Sequence, residues 1–191
     1  MIISIGIDCG VSDFCKKYNL RNMSLPFDWA VSYNGVSKCI ADNFKAFVSP
    51  LEIRINKYDI YFHHDFNGES NADDEEKYDR RCKRFINVLE TSDEEITFCR
   101  KGHSCHHHYE HDSRFFHIKN DIDEVEDLST VLSTKYPNLK YKIILTLQCG
   151  HCFDATRAYV SKSEKVEIHN ISGSLDHHGA FEECLRGIMK L

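Results

Sequence analysis

Proline is scarce in this chain, three residues in 191, and glycine supplies only nine. Long disordered or Gly/Pro-rich stretches are thereby excluded, and 41% hydrophobic against 28% charged residues is the balance of a folding globular chain. A basic excess is missing as well. With a net charge of -6 and no Lys/Arg patch, the chain lacks the electrostatic footprint that holds a nucleic-acid phosphate backbone. Long apolar runs are also absent. The opening run, Met1 to Ile7, has no basic flank and stops at Asp8, too short for a signal-peptide core or a membrane span. The expected location is the cytoplasm, with neither nucleic acid nor membrane as partner. The oligomeric state is not readable.

Cysteine, by contrast, is plentiful. Nine is an odd number, so at least one thiol is unpaired, and without a secretory signal a reduced chain is expected rather than a disulfide framework.

The length suits one domain, residues 1–191, and no composition break divides it. After the opening strand, Val11 to Tyr18 reads as a helix. Val36, Cys39, Ile40 and Phe44 place a second helix over Gly35 to Phe47, with Asn34 as its N-cap. Tyr58 to Phe62 is a short aromatic strand and Asn67 to Asp74 a polar loop. Tyr78, Cys82, Phe85, Ile86 and Leu89 form one stripe of a helix over Glu75 to Glu90. Glu95 to Cys99 reads as a strand and Lys101 to His111 as a loop. Val125, Leu128, Val131 and Leu132 mark a helix that ends before Pro137. Lys142 to Leu147 is apolar throughout, as in a strand buried on both faces of a parallel sheet, and Val166 to Ile171 is a further strand. His178 to Leu191 closes the chain as a helix. This alternation predicts a three-layer α/β/α sandwich with a mostly parallel sheet, its reactive residues at the carboxyl ends of the strands.

Cys9 stands where the first strand turns into the first helix. Helix N–H groups point at such a position, which predicts a thiol that ionises more easily than a free cysteine and is a candidate nucleophile. The plain alternative is a buried thiol filling the core. A cysteine nucleophile needs a base and a group that orients it. His63 and His64 follow a strand directly, so one of them is expected on the sheet edge that holds Cys9, with Asp65 or Asp28 to orient it.

These residues carry a resemblance. Ile3-Ser4-Ile5-Gly6 to Cys9, Ser24-Leu25-Pro26-Phe27-Asp28-Trp29, Phe62-His63-His64-Asp65-Phe66, and Arg84-Phe85 with Leu89 occur in the order seen in a family described as papain-like cysteine peptidases, found in bacteria and large DNA viruses. The resemblance implies a cysteine hydrolase acting on an acyl or amide bond of a peptide or small acyl substrate, and, for a viral member, a place in the host cytoplasm. It implies Cys9 as nucleophile, a histidine of the His63-His64-Asp65 block as base and Asp28 as a site or scaffold carboxylate. It also implies an α+β fold, with the cysteine opening a helix and the histidine on a separate antiparallel sheet, against the α/β pattern of the periodicity.

Asp176-His177-His178 before the last helix is similar in place to the Asp/His pair of SGNH hydrolases, although Ile7-Asp8-Cys9 stands where those enzymes carry Gly-Asp-Ser. His178 is therefore the second candidate base after His64, with His177 and His169 behind it. A different class of function comes from Cys149-Gly150-His151-Cys152 together with the loop carrying His103 and Cys105. A thiolate pair with one ligand from each loop makes a tetrahedral zinc site, and the rival reading is a zinc-stapled binding module without catalysis. The hydrolase reading requires no cofactor.

Overall fold

The computed structural model describes residues 1–48, 54–66, 72–104, 111–148, 159–171 and 177–191, without the side chains of 103–104, 111–119, 148 and 177–178. Four strands form the main sheet: β1 (Ile2–Ser4), β4 (Ile96–Ser104), β5 (Tyr141–Gln148) and β6 (Val166–Ile171), in that spatial order. Every neighbouring pair is parallel, with Ile3 opposite Phe98, Phe98 opposite Ile143 and Leu145 opposite Ile168. All four carboxyl ends therefore lie along one edge.

The side-chain alternation of these strands divides the core into two. Ile3, Phe98, Ile143 and Leu145 face a large cluster built with α2 (Val36–Ala41), α3 (Ala72–Thr91) and α4 (His111–Lys135). Cys99 and Ile144 face the other way, onto Val11 and Phe14 of α1 (Gly10–Lys17) and Phe181 and Leu185 of α5 (His177–Met189). Helices cover both faces, so the arrangement is the three-layer α/β sandwich that the run Lys142 to Leu147 predicts. The α+β alternative does not describe the main sheet. A second sheet nevertheless stands beside it: β2 (Val31–Ser32) and β3 (Ile60–Tyr61) pair antiparallel, and His63 and His64 follow β3.

Several local expectations are corrected. The helix expected over Gly35 to Phe47 ends at Ala41, because Asn43 and Phe44 take left-handed backbone angles, φ 53° and 58°, which no helix continues through. Its start is capped by Glu124 of α4, whose carboxylate accepts the Gly35 and Ser37 amides, and not by Asn34. β4 continues through Lys101 to Ser104, where a loop is expected, and α4 already begins at His111. The strand β2 carries no periodic signal, since two residues are too few to show one.

The ribbon of β2 and β3 is held to the sheet by Arg100. Its guanidinium is fully buried, donates through Nε to Asp121 Oδ1 at 2.7 Å, and donates through Nη1 to the carbonyls of Ile5 and Ser32, each at 2.9 Å. Nη2 donates to the Tyr33 carbonyl. One side chain thus binds the end of β1, the ribbon and α4 together. The approach is close enough to require glycine at position 6, where φ is 101° and a β-carbon would overlap Ser32 Oγ.

Candidate active site

Asp8, rather than Cys9, acts as the cap of α1. Its Oδ1 accepts the Gly10 amide at 2.8 Å, while the Cys9 backbone is already helical, φ -71° and ψ -5°, and its carbonyl accepts the Asp13 amide at 2.8 Å. Cys9 is therefore the residue immediately before α1, with a helical backbone and a thiol that makes no capping bond. It is half-buried, at the carboxyl edge of the parallel sheet.

The acidity of the thiol is the reverse of the expectation. Burial pushes the Cys9 thiol up to about 11, and the Asp13 carboxylate, by charge and by a hydrogen bond, and then Asp8 push in the same direction. The helix N-terminus does attract an anion, but that anion is the Asp8 carboxylate, which occupies the Gly10 amide itself. Asp8 is in turn held by Lys101, with Nζ at 3.0 Å from Oδ2. Lys101 lies over the Phe181 ring at 5.5 Å, which brings the first turns of α5 to the same edge.

Two contacts bracket Cys9 against the Phe27-Asp28-Trp29 block. On one side the Ser32 amide donates to the Ile7 carbonyl at 2.8 Å, and on the other the Ser12 hydroxyl donates to Asp28 Oδ1 at 3.1 Å. The Trp29 ring meets His64 edge to face at 6.3 Å, and His64 meets His63 at 4.8 Å, both imidazoles being exposed. The histidine pair accordingly packs on the ring of Trp29, whose chain neighbours Asp28 and Ser32 are bonded to Ser12 and Ile7.

The two carboxylates are anchors of this arrangement. Asp28, only 4% exposed, accepts from Ser12, from Arg21 Nη2 at 2.8 Å and from the Leu25 amide at 2.9 Å. Arg21 also lies over Trp29 at 5.3 Å, and so fixes the ring from its other side. Asp65 binds Lys77 Nζ at 2.6 Å and the Tyr78 hydroxyl at 2.7 Å, both on α3. The phenylalanines of the two blocks are core. Phe27 packs on Phe85 and Phe47, and Phe47 on Phe62, at 5.7, 5.8 and 5.5 Å. An aromatic cluster thus sets the distance between the two blocks.

The other candidates are placed as follows. His178 is the second residue of α5, with its side chain outside the description, and His177 is the first. His169 contacts Glu167 of its own strand at 3.3 Å. Cys105, Cys149 and Cys152 lie outside the described residues, and of His103 only the backbone in β4 is described. Among the described residues no group of three or more His, Cys, Asp or Glu is gathered to hold a metal. No described helix is long and apolar enough to cross a membrane. Asp13, Lys101 and the Arg100–Asp121 pair are the participants that sequence reasoning missed. An arginine directly after the apolar strand residues Phe98 and Cys99 is the one signal that pointed to a buried partner.

Fold and site together define an α/β protein with a cysteine at a strand-to-helix turn and a histidine pair on an adjoining ribbon. The chain belongs to the family described as "Putative papain-like cysteine peptidase", whose profile matches residues 1–62 and 53–149. Neither a curated protein nor a solved structure matches it.

Proposed function

We propose that the protein is a cysteine hydrolase that cleaves an acyl or amide bond of a peptide or small acyl substrate through Cys9. The observation that carries this reading is the placement of Cys9, half-exposed at the start of α1, between two residues, Ile7 and Ser12, that bond to Ser32 and Asp28 on either side of the Trp29 on which His64 packs. The family description supports the hydrolase class.

A thiol that burial first, and the neighbouring carboxylates after it, keep protonated is not a standing nucleophile. The base must remove its proton as the attack occurs, as a serine hydrolase does. In this mechanism His64 takes the proton from Cys9 Sγ, and the sulfur bonds to the acyl carbon. The carbonyl pair moves to oxygen, and the protonated imidazole returns the proton to the leaving group. Water then attacks the thioester with His64 as base, and the acid and free thiol are released. Asp28 and Asp65 serve as positioning residues, the first by locking Trp29 to α1 and the second by tying the histidine block to α3. His178 is the second candidate for the base.

The test is incubation with a peptidyl electrophile that captures attacking thiols, followed by peptide mapping. The reading expects the adduct on Cys9 and none in Cys9→Ala. An unmodified Cys9 in a folded protein that hydrolyses acyl substrates all the same would overturn it.

A further inference from the structure

The end of α1 carries an arrangement that the hydrolase reading does not use. The Asp8 carboxylate spans two partners, the Gly10 amide at 2.8 Å through Oδ1 and Lys101 Nζ at 3.0 Å through Oδ2. Position 10 is tight around this pair: a β-carbon on Gly10 would stand 2.9 Å from Asp8 Oδ1 and 3.1 Å from the Lys101 side chain. Lys101 is little exposed and is packed against Phe181, so it is a fixed cation and not a solvated one. The Cys9 amide itself bonds to the sulfur and favours its ionised form, and the Gly10 amide is the next donor along the chain. It is the group expected to stabilise an oxyanion formed on Cys9.

We propose that Asp8 and Lys101 are positioning residues for Cys9: the Asp8 carboxylate sits in the place at the helix N-terminus that a thiolate or an oxyanion would take, and Lys101 is the counterion that holds it there. The proposal rests on Cys9 being the reactive group of the site. Its physical basis is competition for one positive pole. A helix N-terminus offers roughly half a charge, and a carboxylate already seated on it leaves little for a second anion. The charged groups that act on Cys9 are Asp8 on the incoming turn and Asp13 on α1, and Lys101 on β4 pairs with Asp8. The first two oppose ionisation, and the third offsets Asp8.

Asp8→Asn keeps an acceptor for the Gly10 amide but removes the charge, so α1 stays capped. Losing one adjacent charge moves a thiol by about one pKa unit, and the fall in intrinsic nucleophilicity reduces the gain to roughly threefold in alkylation rate near pH 7. Lys101→Met removes the offsetting charge, leaves Asp8 unpaired, and slows the reaction by a similar factor. Lys101→Arg restores the wild-type rate.

The experiment measures iodoacetamide labelling of Cys9 by peptide mapping across pH 6 to 10 for the wild type and the three variants, native and in guanidinium. The expected order in the native proteins is Asp8→Asn fastest, wild type and Lys101→Arg alike, Lys101→Met slowest, with the order lost in guanidinium. Equal native rates for all four, or Asp8→Asn and Lys101→Met shifting in the same direction, would overturn the proposal. Survival of turnover in Cys9→Ala would defeat the hydrolase reading and leave this labelling order intact, so the two failures are separable.

Discussion

Ser12 donates its hydroxyl to Asp28 across a fully sequestered contact, and through that bond the helix carrying Cys9 is tied to the loop carrying Trp29. Asp28 also accepts from Arg21 and the Leu25 amide, so its two oxygens hold three donors. Its removal strands three donors at once.

Asp28→Ala is therefore expected to destabilise the fold by about 3 kcal/mol, because the partly buried Arg21 guanidinium loses its charge partner and two further donors go unsatisfied. Ser12→Ala, which removes one neutral donor, should cost about 1 kcal/mol. Urea titrations of the two variants check the ratio. Equal small losses would show that Asp28 is not the anchor described.

Arg100 and Asp121 are both without solvent access. Arg100→Leu removes the cation that faces the buried Asp121 carboxylate and the donor to the Ile5, Ser32 and Tyr33 carbonyls, with an expected cost of about 3 to 5 kcal/mol. The double variant Arg100→Leu/Asp121→Leu should recover a part of that loss, since both charges of this pair are then gone. A thermal melt of each protein gives the comparison, and a double variant no better than the single one would contradict the account.

How far the sequence revealed all this depends on the length of the signal. β5 and α3 have unbroken patterns over many residues, and their reading agrees with the structure. Cys9 at the strand-to-helix turn and the histidines after the aromatic strand were also legible, because each follows directly from an apolar run. The ionisation of Cys9 was not. It depends first on how far the thiol is buried, then on Asp13 one helical turn later and on Asp8 turned back onto the Gly10 amide, and periodicity carries no information on any of these. The Glu124 cap of α2 and the Arg100 knot join positions tens of residues apart in the chain, and no local pattern announces them.

Alkaline conditions should weaken the fold. Burial pushes Cys15 to about 11 and Cys82 to about 12, and raises Cys39 and Cys99 further. Folded pKa values above the unfolded one mean that these thiols cost nothing below the unfolded thiol pKa of about 8.5, and that stability falls as pH rises beyond it, because only the unfolded chain releases the protons. Each thiol contributes a slope on the order of 1 kcal/mol per pH unit up to its folded pKa. Denaturation midpoints at pH 7.5, 9 and 10 should show a flat region and then a decline. A flat curve through pH 10 would contradict the burial of these thiols.

The choice of base separates two surfaces of the molecule. His64 is exposed beside Trp29, and His178 lies in the first turn of α5. His64→Ala should leave stability within about 0.5 kcal/mol, as surface substitutions do. It should also lower the single-turnover acylation rate of Cys9 by about a hundredfold or more, the ordinary contribution of a general base. His178→Ala should have a small effect on that rate. The reverse pattern would transfer the role to α5.

The central claim is that the Cys9 sulfur becomes covalently acylated, and mass spectrometry of the Cys9 peptide after acid quench of a reaction with an activated acyl ester tests it most directly. The account predicts a thioester mass on that peptide which is absent in Cys9→Ala and sharply reduced in His64→Ala. A folded wild-type protein that turns the ester over with no acyl mass ever found on Cys9 would contradict it.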